Sequence, residues 1–245
     1  MKIALALSGY FNSKNDNTSL GLDGFNHIKK HILDNNNVDI FIHSWDISNK
    51  NIIQDLYANW IKNSIFEQQI DFMPIFNRNN LDKVPHNKGY SHFTNALSQY
   101  YSVQESFKLI DSAYDIVIRA RFDLGRINRN TSGPFNTNNP YAVQCINFDQ
   151  SLDMNKFYMA KWQQSYLDNE GPADMWFYSG WDNMKHFCNL YDIISNDVTY
   201  GSEYEEWAIS SSSNAWVLNV IKGWKWFLIK TGLWDKKVLL TSEWE

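Results

Sequence analysis

Cysteine is nearly missing from this chain: Cys145 and Cys188 are its only two in 245 residues. They lie too far apart for any zinc or redox spacing, and there is no disulfide framework. A reducing, cytoplasmic compartment fits that scarcity. Basic charge is not in excess either. Against 27 Asp and Glu stand 22 Lys and Arg, for a formal net charge of −5, so no long face offers the field that a nucleic acid needs. No apolar run approaches the roughly 20 residues of a transmembrane segment. The opening Met1-Lys2-Ile3-Ala4-Leu5-Ala6-Leu7-Ser8-Gly9 superficially resembles a secretory leader. Its apolar core is short and no small-residue cleavage site follows, so it reads better as a first strand. Arginine is also scarce. There are five, and four of them (Arg119, Arg121, Arg126 and Arg129) fall within one short stretch.

What is present is ordinary for a soluble globular protein, with 44% hydrophobic and 20% charged residues. Such a length buries a real core, as one large α/β domain or two small ones. The unusual figure is 16% aromatic residues, including 11 Trp and 13 Tyr. Some must be core. So many amphipathic rings also suit a site that stacks on sugars or bases.

The arginine-rich stretch is the centre of the sequence. Ile116, Val117 and Ile118 read as a buried strand. Arg119, Arg121 and Asp123 then alternate, which puts them on one face, and Gly125 breaks the run. Charges at the carboxyl end of a buried strand are costly without a partner, and in open α/β sheets that end is where ligands bind. Arginine forks suit phosphate, and a neighbouring aspartate suits a divalent cation carried on it. An Arg–Asp network holding a loop is the alternative reading of the same residues.

Other elements follow along the chain. Lys2 to Leu7 reads as a first strand leaving through Ser8-Gly9-Tyr10, and Phe25 to Leu33 as a helix. His27 and His31, at i and i+4, read as a solvated helix side because no third metal ligand accompanies them. Val38 to Asp46 repeats the apolar strand with a polar end, and Ile52 to Ile61 reads as a helix, giving a βαβ unit and a parallel sheet. Trp45 and Asp46 would then lie beside Ser8, where a base and ribose fit; a buried Trp with a capping Asp is the alternative. Ile70 to Phe76 reads as a short strand interrupted at Pro74, Phe93 to Ile110 as a helix, and Tyr141 to Ile146 as a strand. Beyond these, the sequence suggests an aromatic strand fed by Pro172–Met175, a helix from Trp181 to about Ile194, and a helix from Glu203 toward Val220. The tail from Trp224 to Val238 reads as strands packing back on the sheet.

Ser8-Gly9, then Phe41-Ile42-His43-Ser44-Trp45-Asp46, then Tyr114 to Asp123, then Asp174-Met175-Trp176-Phe177-Tyr178-Ser179-Gly180 occur in this order. Together they resemble a group of glycosyltransferases of large viruses, phages and bacterial polysaccharide clusters with the GT-A nucleotide-sugar fold. The resemblance implies one α/β domain, GT-A and Rossmann-like, with a mostly parallel sheet flanked by helices. Residues 1–125 would form the nucleotide-sugar half and 126–245 the acceptor half. It also implies transfer of a sugar from a nucleotide-diphosphate donor to a glycan or other hydroxyl acceptor, with Ser8, Gly9, Tyr10, Trp45, Asp46, Arg119 and Arg121 around the donor. In that fold a DxD motif holds Mn²⁺ or Mg²⁺. Asp123 matches its last acid, but Arg121 stands where the first would be, so a one-carboxylate metal site and a metal-free site both stay open. A base for the acceptor hydroxyl is sought among Asp174, Glu203 and Glu206, each of which also has a capping or helix-dipole reading. Competing with this activity is a non-catalytic nucleotide-sugar or carbohydrate-binding module on the same fold. A phosphohydrolase would need clustered acids or histidines near Asp123, and none are adjacent.

Overall fold

The computed structural model describes residues 1–12, 20–84, 90–111, 114–125, 145–161, 167–168, 170–211 and 219–241. The first half contains β1 (Lys2–Gly9), α1 (Leu20–Ile28), β2 (Asn37–Ser44), α2 (Lys50–Leu56), β3 (Ile61–Phe66), α3 (Met73–Arg78), α4 (Tyr90–Lys108) and β4 (Ile116–Arg121). The second contains β5 (Phe157–Ala160), β6 (Trp176–Ser179), α5 (Trp181–Met184), α6 (Leu190–Asp197), α7 (Glu203–Ser210), α8 (Val220–Lys230) and β7 (Lys237–Leu240).

Among the described residues the strands form one seven-stranded sheet in the order β3-β2-β1-β4-β6-β5-β7. The strands β1, β2, β3 and β4 are mutually parallel. β6 runs against both β4 and β5, and β7 is parallel to β5. The fold is therefore α/β with a mostly parallel mixed sheet flanked by helices, as the resemblance implies. β1 is central because its sequence leaves it no other place. Ile3, Ala4, Leu5, Ala6 and Leu7 are all fully buried, and each large aliphatic chain contributes about 1.5–3 kcal/mol by leaving water. Alternation then divides the core in two. Ile3, Leu5, Leu7, Ile116 and Ile118 pack with Phe25, Ile28 and Ile53 on one face, while Ala4, Ala6 and Val117 pack with Leu97, Val103, Phe107 and Trp224 on the other.

The chain steps outward from β1 to β2 to β3, then returns through α4 to lay β4 on the other side of β1. The connections reverse between β1 and β4, so a crevice opens beyond the carboxyl ends of these two strands. Two close approaches fix its surroundings. Gly24 of α1 lies against the turn after β4, where a Cβ would stand 1.7 Å from the Phe122 carbonyl oxygen. The Tyr100 hydroxyl of α4 donates to the Val220 carbonyl at 2.5 Å, tying α4 to the start of α8.

Several expected elements take another form. Ile70–Phe76 is no strand: α3 begins at Met73 with Pro74 in its first turn, where a missing N–H costs nothing. The helix expected to Ile61 ends at Leu56, and Ile61 opens the edge strand β3, whose half-exposed residues carry a weak apolar signal. The tail is mostly helical. In α8, residues Lys222 to Leu228 are all buried, so a helix covered all round lost its 3.6-residue stripe. The helix expected from Trp181 to Ile194 is broken into α5, a 3₁₀ turn over Lys185–Asn189, and α6. Residues 141–144 of the expected strand at Tyr141–Ile146 lie outside the described residues, and Cys145 and Ile146 are not in a strand.

Candidate functional site

A cleft of about 650 Å³ occupies the crevice between the ends of β1 and β4. Ser8, Gly9, Tyr10 and Phe11 enter it from β1, Trp45 from beyond β2, Gln69 from beyond β3, and Arg119, Arg121 and Asp123 from β4 and its turn. Asp174 arrives just ahead of β6, Asn95, Ser98 and Gln99 line it from α4, and Asn219, Val220 and Ile221 from the start of α8. The expected residues Ser8, Gly9, Tyr10, Trp45, Arg119, Arg121, Asp123 and Asp174 thus share one cleft. Its walls combine aromatic rings with carboxamides and a small charged cluster, which is lining suited to a polar, ring-containing ligand.

Three expected residues are placed elsewhere. Asp46 is buried and caps a short 3₁₀ turn, accepting from the Ser48 hydroxyl at 2.7 Å, the Asn49 amide at 3.3 Å and the Asn12 amide at 3.2 Å. It is the capping residue of the alternative reading, and Trp45, which is buried, stacked on Tyr101 at 5.2 Å and hydrogen-bonded to the Ser98 carbonyl, is the buried Trp of that reading although it also borders the cleft. Glu203 and Glu206 stand exposed in the first turn of α7, outside the cleft lining. Glu203 approaches Lys230 at 3.9 Å, and favourable interaction with the helix dipole accounts for its position. The pair His27 and His31 is not a plainly solvated face: the rings lie 4.3 Å apart, and His27 Nε2 accepts the Ile146 amide at 3.1 Å.

The charged cluster is tightly ordered. Arg121 grips Asp123 with a fork, Nε to Oδ1 and Nη2 to Oδ2, both at 2.8 Å. Its Nη1 reaches Asp174 Oδ2 at 3.0 Å, and the Gln99 carboxamide donates to the same oxygen. Burial alone would push the Asp174 carboxyl up. The guanidiniums of Arg121 and Arg119, with the Gln99 and Arg121 hydrogen bonds, outweigh it and hold Asp174 below the usual carboxylate range. For Arg121 burial is likewise outweighed, by Asp123 and Asp174, and its guanidinium is held above its ordinary value.

Arg119 is different. It is fully buried, donates through Nη1 to the Asp174 carbonyl, and lies over the rings of Trp224 at 5.0 Å and Phe177 at 5.7 Å. Its Nε and Nη2 are buried with no hydrogen-bond partner among the described residues. Burial draws this guanidinium down to about 9, with Asp174 opposing and Arg121 reinforcing the fall, which still leaves it charged at neutral pH. Buried donors without acceptors cost about 1–3 kcal/mol each, a cost that this wall of the cleft carries.

A hydrogen-bonded chain that the sequence did not reveal lies behind the cleft. Ser102 Oγ accepts the Gly9 amide at 3.0 Å and meets His43 Nδ1 at 2.8 Å, while His43 Nε2 meets Glu67 at 3.0 Å. The residue types are those of a hydrolytic triad, but Ser102 is fully buried, does not line the cleft, and is engaged by the Gly9 amide. Its role is to fix the end of β1, where Gly9 takes a φ of +102° that a side chain would resist. His43, Ser102 and Glu67 are separated by tens of residues, so no local spacing could have joined them.

The donor set does not fit a divalent metal. Both oxygens of Asp123 face a guanidinium at hydrogen-bond distance, which repels a cation and occupies one acceptor position on each oxygen. Among the described residues no three His, Cys, Asp or Glu side chains gather to hold an ion. Asp123 is thus an ion-pair partner here, in place of the metal ligand expected. No protein-family model matches the chain, and a search among curated proteins finds no match.

Proposed function

We propose that this chain is a glycosyltransferase, moving a sugar from a nucleotide-diphosphate donor to a hydroxyl of a glycan or similar acceptor. The observation that carries the reading is the cleft at the reversal point of the sheet, which gathers Ser8, Gly9, Tyr10, Trp45, Arg119, Arg121 and Asp174 at the ends of β1, β2 and β4. Tyr10 supplies a ring for a base or sugar to meet, and Trp45, buried and stacked on Tyr101, backs the wall behind it. The amides of Gln69, Asn95 and Asn219 supply donors and acceptors for hydroxyls.

In the reaction the acceptor oxygen bonds to the anomeric carbon while the bond from that carbon to the diphosphate oxygen breaks. The electron pair leaves with the diphosphate, whose growing negative charge meets Arg121 and Arg119. The acceptor proton passes to Asp174, the cleft carboxylate on the side of β6. Because its carboxyl is held low, Asp174 is ionised throughout the neutral range and takes the proton late, as the hydroxyl becomes acidic on bond formation. A cytoplasmic setting accords with Cys145 and Cys188 forming no disulfide, and among the described residues no helix is long and apolar enough to cross a membrane.

A second reading has its own observation. Asp123 and Asp174 are both ion-paired to Arg121, as befits a module that binds a nucleotide sugar or carbohydrate without reacting it. Incubating the pure protein with UDP- and GDP-sugars separates the two. Release of nucleoside diphosphate, accelerated by a glycan acceptor, supports the transferase; binding with no release at any enzyme concentration rejects it.

A further inference from the structure

Among the described residues, the charged side chains lining the cleft are two guanidiniums and two carboxylates. Arg121 is committed to both carboxylates, through the fork on Asp123 and a single contact on Asp174. A dication seated on Asp123 would have to displace or endure that guanidinium, since the two occupy the same side of the carboxylate. The other charge of the cleft wall is of the opposite kind: the fully buried Arg119 guanidinium, whose Nε and Nη2 have no acceptor among the described residues and whose charge acts on the cleft from within the wall. Arg121 lines the cleft with its side chain about one-third exposed, so a ligand entering from solvent can reach it.

Resting on the reading given above, we propose that the cleft compensates the diphosphate of its donor with Arg121 and Arg119 and takes up no divalent cation. Asp123 serves as the internal counter-ion of Arg121 in the ligand-free protein. A planar fork can pass from a carboxylate to a phosphate with little change in geometry, because both present paired oxygens. Asp123 then competes with the ligand for Arg121, and its charge opposes the incoming anion. The two kinds of site differ in sign at this residue. Removing the Asp123 charge weakens a metal-held diphosphate and strengthens one held by guanidinium.

Calorimetric titration of the full chain with UDP, GDP and inorganic pyrophosphate, in excess EDTA and again with excess Mg²⁺ or Mn²⁺, tests this. The expected result is binding of a nucleoside diphosphate in EDTA, with a Kd within about threefold of that measured with metal. Asp123→Asn is expected to tighten that Kd by about fivefold in EDTA, the effect of removing one like charge at partly screened distance. Nucleotide binding that vanishes in EDTA and returns with Mn²⁺ overturns the inference but leaves the transferase reading standing. Pyrophosphate binding in EDTA, with no nucleoside diphosphate bound in any condition, does the reverse. Failure of every probe in every condition overturns both, and weaker binding by Asp123→Asn in EDTA overturns the counter-ion role.

Discussion

Asp174 accepts from Gln99 and from Arg121 and lies beside a second guanidinium, so one atom change there disturbs three neighbours. Asp174→Asn keeps the shape and removes the charge. Transfer is expected to slow by about a hundredfold or more, since a general base of this kind contributes 10²–10⁴, while nucleoside diphosphate affinity holds or rises. Steady-state turnover beside a binding titration measures both, and an Asn variant with near-normal turnover removes Asp174 from the mechanism. Arg121→Lys keeps the charge but loses the fork. It is expected to weaken nucleoside diphosphate binding by about tenfold, and an unchanged Kd would take Arg121 out of the donor site. These residues were legible in the sequence because alternation along a strand fixes which side chains share a face. Arg119 and Arg121 needed no long-range information to be grouped, whereas β4 ends at Arg121 and Asp123 joins them from the turn that follows. Their pairing did need it: Arg121 also holds Asp174, brought in from just ahead of β6, 53 positions along the chain. The capping role of Asp46 was legible only as one of two readings, since a cap and a ligand contact call for the same side chain.

At the scale of elements, α1 seats itself on the turn after β4 through Gly24. Alanine in a helix interior normally gains about 0.5–1 kcal/mol over glycine. Here the added methyl would meet a backbone carbonyl at 1.7 Å, and overpacking against backbone costs about 1–3 kcal/mol or more. The clash outweighs the propensity, so Gly24→Ala is expected to lower stability by at least about 2 kcal/mol and to displace the turn that carries Asp123. Chemical denaturation measures the loss; a stabilised variant would mean that the helix lies farther from the turn. The central strands β1, β2 and β4 were easier to foresee than α8 or β3, for a physical reason. β1, β2 and β4 are buried on both faces and show unbroken apolar runs, whereas α8 is buried all round and β3 lies at an edge, so neither keeps the periodicity of its kind. The order of the strands, and with it the reversal that opens the cleft, depends on how α4 returns over the sheet. No segment of sequence states that alone.

For the molecule as a whole, pH acts through groups buried in a preferred protonation state. Burial lowers the His43 imidazole below its ordinary value of 6.5, against the opposing pull of Glu67 and Glu105. A histidine whose value falls on folding is bound by more protons in the unfolded chain. Its contribution is therefore complete above pH 6.5 and is lost as pH falls through the folded value. The melting temperature is expected to decline below that pH, before the depressed carboxyls of Asp39, Asp71, Asp149 and Asp174 begin to protonate at still lower pH. His43→Gln should flatten the first part of the decline; an unaltered profile would exclude His43 as its source.

The tie between Tyr100 and Val220 has a kinetic consequence. The same tyrosine fills the space beside Gly223, where a Cβ would come within 2.1 Å of its hydroxyl oxygen, so α8 cannot lift its first turn without disturbing the middle of α4. Two walls of the cleft that are 120 residues apart in sequence are thereby bound into one opening unit. Amide protons in the first turn of α8 and around Tyr100 should exchange with solvent deuterium at a common free energy, in step, while those of the edge strand β3 are released earlier. The cleft would then lose its shape in a single event, through a fluctuation shared by both walls.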